Sequence, residues 1–341
     1  MTLRHGGELS RAMREYGHKR EQWLDLSTGI SPWSWPVPDL PDNVWRDLPD
    51  GTLELEAVAA RYFGCGDDSV LATPGSQFAI SRLPGLLPKG RIALPARGYA
   101  EHEAAFVRAG HSSVHYSDLL HLESLVARGE VEHALVISPN NPTTELAARP
   151  WLEDLQALLG DPGRYLIVDE AFVDCTPEHS LAPLCPREGL VVMRSLGKFF
   201  GLAGLRLGFL LAPADLRDVM REKVDPWAVS HPAEWVGLRA LNDTGWQAMQ
   251  RERVMEASRR WLDDLGRVLP ALDWRSAGLF ATGTADAAYC ARLYHLLAGR
   301  ALLARCFGDV AGQGALRLGL PAEEERERAL DTIAAVAGEM E

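Results

Sequence analysis

No two of the five cysteines stand as a CxxC pair: Cys65, Cys175, Cys185, Cys290 and Cys306 are odd in number and scattered. That argues against a disulfide framework and against a cysteine-based zinc site. Long apolar runs are missing too. Nothing approaches the roughly 20 residues that a membrane helix needs, and MTLRHGGELSR has no apolar segment that would make it a signal peptide. The cytoplasm is the expected location. Positive charge is also short, with Lys+Arg at 35 against Asp+Glu at 47, a net charge of −12. Such a chain is a poor partner for a nucleic-acid backbone or an anionic membrane. Any phosphate it binds must be caught by local arginines and backbone amides. Internal repeats and low-complexity stretches are absent. What remains is an ordinary globular composition, 47% hydrophobic and 24% charged, in 341 residues, enough for two domains.

The middle of the chain alternates short apolar runs with helical spacing. The runs at Ser69–Ala72, Arg91–Leu94, Ser113–Tyr116, Ala134–Ser138, Tyr165–Val168, Leu190–Met193 and Arg206–Leu211 read as strands. Helical patterns fill Gln77–Leu87, Glu101–Ala109 and Pro150–Leu159. Strands separated by helices predict an α/β fold with a mostly parallel sheet covered on both faces. Ligands of such sheets bind beyond the carboxyl ends of the strands. The first 45 residues differ: Pro32, Pro36, Pro38 and Pro41 crowd Trp33 and Trp35, which reads as an extended arm rather than a sheet element. A long helix is expected from about Trp246 to Leu269. We therefore expect a large α/β domain over 46–220, with 1–45 and 221–341 forming a smaller α+β domain.

Five segments just past strands carry candidate chemistry. In SLGKFFGLAGLRLGF, residues 195–209, Lys198 follows an apolar run among glycines, beside Phe199 and Phe200. Partial desolvation there would free its amine to attack a carbonyl. Ser195 and Arg206 are suitable phosphate donors. A lone lysine after a strand is otherwise a solvated surface charge. In YLIVDEAF, Asp169 ends a buried run, where a carboxylate is costly unless it faces a cation. A protonated pyridine nitrogen is one such cation. A Walker-B-like metal aspartate is the alternative, but GxxxxGK[ST] is absent, and no metal is expected. Asn141 in SPNNPTT could donate to a ring oxygen, or simply mark a turn. Gly75, Ser76 and Gln77 in LATPGSQFAI open a helix whose first amides suit an anion, or form an ordinary cap. In LPARGYAEH, Tyr99 could stack on a flat ring and His102 could back up Asp169, with plain packing the competing account. Together these groups fit pyridoxal 5′-phosphate.

The order PGSQ, GYAEH, NNP, DEAF, SxxK and an arginine eight residues on resembles the fold-type I pyridoxal-phosphate enzymes of the class I/II aminotransferase family, along nearly the whole chain. Within it, HGGELSRAMREYG, LDLSTGISPW, GYAEHEAAFVRAGH, DEAFVDCTPEHSLAPL, RSLGKFFGLAGLRLGF and LRLGLP are most similar to the threonine-phosphate decarboxylases of cobalamin biosynthesis. Histidinol-phosphate aminotransferases are near relatives. The resemblance implies an aspartate-aminotransferase-like fold and a Schiff-base link through Lys198. It pairs Asp169 with the pyridine nitrogen, Asn141 with the ring oxygen and Tyr99 with the ring face. Ser76, Gln77, Ser195 and Arg206 would hold the cofactor phosphate. Arg317 and Arg305 would take substrate anions, with His5, Gly6 and Gly7 closing over them. It also implies a homodimer. Two positions depart from the family pattern: Phe172 stands where relatives often have tyrosine, and Leu48-Pro49 where many have Tyr-Pro.

The expected reaction is decarboxylation of L-threonine O-3-phosphate to (R)-1-aminopropan-2-ol O-2-phosphate. The bond that breaks is the one held perpendicular to the cofactor ring, so the arginines that pin the substrate's anions choose the reaction. Transamination of histidinol phosphate is the alternative, weakened by Phe172. A cofactor-binding regulator would need a DNA-binding module, and nothing before residue 46 looks like a helix-turn-helix.

Overall fold

A computed structural model of the protein describes residues 6–160, 162–310 and 312–340. It divides into two compact units. The larger comprises Ser34–Asn141 and Glu145–Ala248, and the smaller Met1–Trp33, Pro142–Thr144 and Met249–Glu341.

The larger unit is built on a seven-stranded sheet. Its order is Val70–Thr73, Gly208–Leu211, Leu190–Ser195, Tyr165–Asp169, His133–Ile137, Arg91–Pro95 and Ser112–Tyr116. Gly208–Leu211 runs antiparallel to both its neighbours, and the other pairings are parallel. The reason is local. A parallel return needs a crossover, usually a full helix, and the link from Ser195 to Gly208 holds only the 3-10 turn Ala203–Leu205. The central strands Tyr165–Asp169 and Leu190–Ser195 are buried at every position, as helices on both faces require. Ile167, Met193, Leu135 and Leu210 share one core with Phe106 and Ile80. All seven expected strands form. The Arg206–Leu211 run begins later, at Gly208, because Arg206 is left-handed at φ 56. The helix expected over Gln77–Leu87 spans Ser76–Arg82 and tightens into a 3-10 turn at Leu83–Gly85. Pro84 has no N–H to continue the ladder.

The larger unit extends from 34 to 248, where a domain over 46–220 was expected. Trp35 donates its backbone N–H to Phe200 O at 2.9 Å and its indole N–H to Asp243 at 3.1 Å. Glu234, on the helix His231–Asn242, accepts from Gly51 N at 3.0 Å. These segments therefore belong to the larger core.

The smaller unit has a four-stranded antiparallel sheet, ordered Arg305–Val310, Gln313–Gly319, Phe280–Asp286 and Asp273–Ser276. The helices Ala287–Ala298 and Glu323–Met340 bury Leu293, Leu297, Ile333 and Val336 with Leu316 and Leu318 of that sheet. The reading of the first 45 residues as an arm without sheet structure is corrected. Leu24–Asp25 pairs in parallel with Leu302–Leu303. Leu9–Tyr16 is a helix whose Leu9, Ala12, Met13 and Tyr16 follow helical spacing onto Ala298 and Leu303. Trp23, Leu24 and Leu26 are buried, which holds the segment down.

Among the described residues no helix is long and apolar enough to cross a membrane. Among the described residues no disulfide joins the five cysteines, and no group of three or more His, Cys, Asp or Glu is placed to hold a metal ion.

Candidate active site

In the larger unit the named residues gather at the carboxyl ends of the central strands. Asp169 is the last residue of its strand and is 5% exposed. Its Oδ2 lies 2.8 Å from His102 Nε2, and its Oδ1 accepts from Ala171 N at 3.0 Å. A carboxylate only accepts, so this histidine nitrogen carries a hydrogen. Tyr99 caps the start of the helix Ala100–Arg108. Its ring meets His102 edge-on, centroids 6.0 Å apart, and its hydroxyl donates to Gln77 Oε1 at 2.9 Å. Burial, with Glu101 and Asp169 nearby, pushes its pKa up to about 12, so the phenol stays neutral and able to donate. Sequence reasoning thus placed His102 correctly behind Asp169.

Ser195 closes the neighbouring strand, and its Oγ accepts from Gly197 N at 3.3 Å. The chain then turns, leaving Lys198 half-buried with Nζ 5.6 Å from the centroid of the Phe172 ring. Phe172 is buried, so the tyrosine-to-phenylalanine departure sits beside the lysine itself. Asn141, half-buried, ends the larger unit's first segment. The preceding Asn140 is 4% exposed, and its amide donates to Arg97 O at 2.9 Å.

The anion cradle is a matter of backbone. Gly75 has φ 78, which disfavours any side chain, and a Cβ there would lie 2.7 Å from Arg206 Nη2. The guanidinium therefore rests directly against the turn that opens the Ser76 helix. Gly208 completes the fit: a Cβ on it would lie 2.3 Å from Ser76 N. Gly208 was not singled out in the sequence, although its place in LRLGF was visible. A glycine turn, a helix start, a serine and a guanidinium form a donor set suited to a phosphate. The lysine and the buried, hydrogen-bonded carboxylate suit an aldehyde and a pyridinium nitrogen. The residues present fit pyridoxal phosphate.

The smaller unit carries the other candidates. Arg305 and Arg317 are directly opposed across antiparallel strands, a like-charge pairing that is unfavourable in itself. Arg317 is 5% exposed and donates to Ser27 O. Burial and Arg305 bring its pKa down to about 9, against a smaller upward pull from Asp25. Burial lowers that of Arg305 as well, with Glu8 opposing. Gly6 packs against the same place: a Cβ on it would lie 2.4 Å from Ser27 O and 3.3 Å from Arg317 Nη2. Gly7 N donates to Ser27 Oγ at 2.8 Å. Gly6, Gly7 and Arg317 are therefore brought together around Ser27, which the sequence reading had not picked out. Arg305 lines a cavity of about 410 Å3 with Arg11, Tyr294 and Phe307. His5 lies outside the described residues.

Comparison with known proteins agrees with this geometry. The model of the family described as aminotransferase class I and II matches residues 48–333. A threonine-phosphate decarboxylase of Pseudomonas aeruginosa is 42% identical over 96% of either chain. A histidinol-phosphate aminotransferase of Desulfitobacterium hafniense is 29% identical over 88% of this chain and 89% of its own. Among solved structures, histidinol-phosphate aminotransferase from Sinorhizobium meliloti in complex with pyridoxal-5′-phosphate superposes with a TM-score of 0.83 at 18% identity, covering 100% of this chain and 96% of that one.

Proposed function

From the premise that this chain belongs to the aminotransferase class I and II family, we propose that it decarboxylates L-threonine O-3-phosphate to (R)-1-aminopropan-2-ol O-2-phosphate, with pyridoxal phosphate as cofactor. The observation that carries the reading is the 42% identity, over 96% of both chains, to a threonine-phosphate decarboxylase. The histidinol-phosphate aminotransferase stands at 29%.

When bound, the cofactor supplies an electron sink for the pair left behind as a bond to Cα breaks. Lys198 would hold its aldehyde carbon and would supply a proton to the substrate's Cα. Asp169, fixed by His102, would pair with the ring nitrogen, Asn141 with the ring oxygen and Tyr99 with the ring. Ser76, Gln77, Ser195 and Arg206 would hold the cofactor phosphate beside Gly75. Arg317 and Arg305 take the substrate's anions, helped by Gly6, Gly7 and His5. The opposed arginines support that assignment, because a dianion relieves the repulsion between them. Pinning the substrate's phosphate would orient its carboxylate as the group to be lost, which would favour loss of CO2 over loss of a proton.

The proposal includes a cytoplasmic homodimer serving cobalamin biosynthesis. Trp45, Leu48 and Leu53 are exposed apolar side chains close together in the sequence, as a surface covered by a second copy requires. The deciding experiment incubates cofactor-loaded protein with carboxyl-labelled L-threonine O-3-phosphate and counts released CO2. L-histidinol phosphate with 2-oxoglutarate is run alongside. CO2 release without consumption of keto acid is expected. Glutamate formation without CO2 would overturn the reaction while leaving the fold untouched.

A further inference from the structure

Successive residues of a strand face opposite sides of its sheet. Ile167 and Met193 share the core that lies on one face, so Asp169 and Ser195 belong to that side. Glu170 and Arg194, one residue away, belong to the other. On that second side lies a buried ionic cluster that no step of the proposed reaction uses. Arg194 is 3% exposed and Glu170 is 1% exposed. Arg194 Nη2 lies 2.5 Å from Asp174 Oδ1, and Nη1 lies 3.3 Å from Glu170 Oε2. Ser180 Oγ donates to Glu170 Oε2 at 2.5 Å, and Leu181 N donates to Glu170 Oε1 at 2.7 Å. Tyr62 donates to Asp174 at 2.8 Å, and the guanidinium carbon lies 4.4 Å from the centroid of the Phe63 ring.

The cluster ties together the two strand ends that carry the chemistry. Glu170 directly follows Asp169, and its N–H donates to Met193 O at 2.9 Å. Arg194 directly precedes Ser195 and the turn to Lys198. A planar guanidinium can hold two carboxylates at fixed angles, which an ammonium cannot. An ion cluster this deep is a poor source of net stability. Its geometry, however, is shared with Asp169 through one backbone link and with Lys198 through the turn that follows Ser195.

We propose that Arg194, bridging Glu170 and Asp174, is a positioning residue for the reaction: it sets from behind the sheet where Asp169 and Lys198 stand relative to each other. Misplacement of a reacting group by about an ångström costs on the order of a hundredfold in rate, so small changes in the bridge are read out at the site. The inference rests on the cofactor reading above, and not on the choice of substrate.

The test compares Arg194→Lys and Glu170→Gln with Leu293→Ala, a core change in the smaller unit. For each, the affinity of the apo-protein for pyridoxal phosphate is measured by fluorescence titration. The pH midpoint of the holo-protein's visible absorbance, kcat, KM and the melting temperature follow. Arg194→Lys and Glu170→Gln are expected to lower kcat at least about tenfold at near-constant KM, to move the absorbance midpoint and to weaken cofactor binding. Leu293→Ala should lose melting temperature alone. If both polar variants behave like Leu293→Ala, the positioning role is overturned. Should Arg194→Lys fail to fold, Glu170→Gln decides alone, because it keeps the side chain's shape. Wild-type protein that binds the cofactor but releases no CO2 would sink the reaction reading. The positioning role would then be judged on affinity and absorbance.

Discussion

Two arginines are buried to almost the same degree in this molecule, Arg194 at 3% exposure in the larger unit and Arg317 at 5% in the smaller. Burial works against the charge of both. For Arg194 the carboxylates of Asp174 and Glu170 outweigh it, and its pKa is raised. For Arg317 the residue directly across the ladder is Arg305, and its pKa falls to about 9. A guanidinium still keeps its proton at neutral pH, but burial beside Arg305 disfavours the cation. One arginine is flanked by two carboxylates, the other faces a second arginine across the ladder.

Breaking either arrangement should show the contrast in stability, since both arginines bear on activity in the roles proposed for them. The largest effect is expected from Arg194→Met, which leaves Glu170 and Asp174 buried without their shared cation. Loss of one partner of a buried ion cluster costs about 3–5 kcal/mol, and chemical denaturation would read it as a lower midpoint. Arg317→Met should do the reverse. Truncating a buried partner of a ligand's charge costs about 2–5 kcal/mol, or roughly 30- to 5000-fold in kcat/KM. Its unfolding midpoint should hold or rise, because a disfavoured cation opposite Arg305 is gone. A clear fall in that midpoint would mean that Arg317 is structural. The smallest effect sharpens the contrast with a third buried base. His133 is fully buried between His111 and Tyr165, and burial lowers its pKa, with His111 adding to the shift. The folded state therefore favours neutral His133. That contribution is intact above the unfolded value near 6.5 and is lost as pH falls below it. Urea midpoints taken between pH 5 and 8 should fall on the acid side, and His133→Gln should flatten that slope.

The same contrast explains what could be read in the sequence. Apolar runs bounded by turns located all seven strands of the large sheet; burial on both faces leaves an unbroken hydrophobic string in the central ones, while the edge strand Ser112–Tyr116 is buried only at its last residue. The residues just past those strands followed from the rule for parallel sheets, and the placement of His102 behind Asp169 came with them. Arg194 and Glu170 were invisible as a pair. Each stands alone in the sequence among better-known neighbours, and only the registry of two strands brings them together. Ser27 and Gly208 were missed because they act through a carbonyl and an absent Cβ, which composition does not report. Leu24–Asp25 was missed because a two-residue strand has no period to detect. The larger unit extends past the expected boundaries where Trp35 and Glu234 bond to distant segments of it.

The placement of one edge strand also bears on the order of assembly. Among the described residues Val70–Thr73, which leads into Gly75 and Ser76, pairs with Gly208–Leu211, much further along the chain. Until residue 211 has been synthesised, the strand has no neighbour and the turn has no Arg206 beside it. A nascent chain can therefore form the parallel strands that carry Asp169 before any phosphate cradle exists, since contacts this remote in sequence close late. On the proposed placement of the cofactor phosphate, its capture waits on completion of this sheet, because the turn at Gly75 and the Arg206 guanidinium meet only when both strands are present.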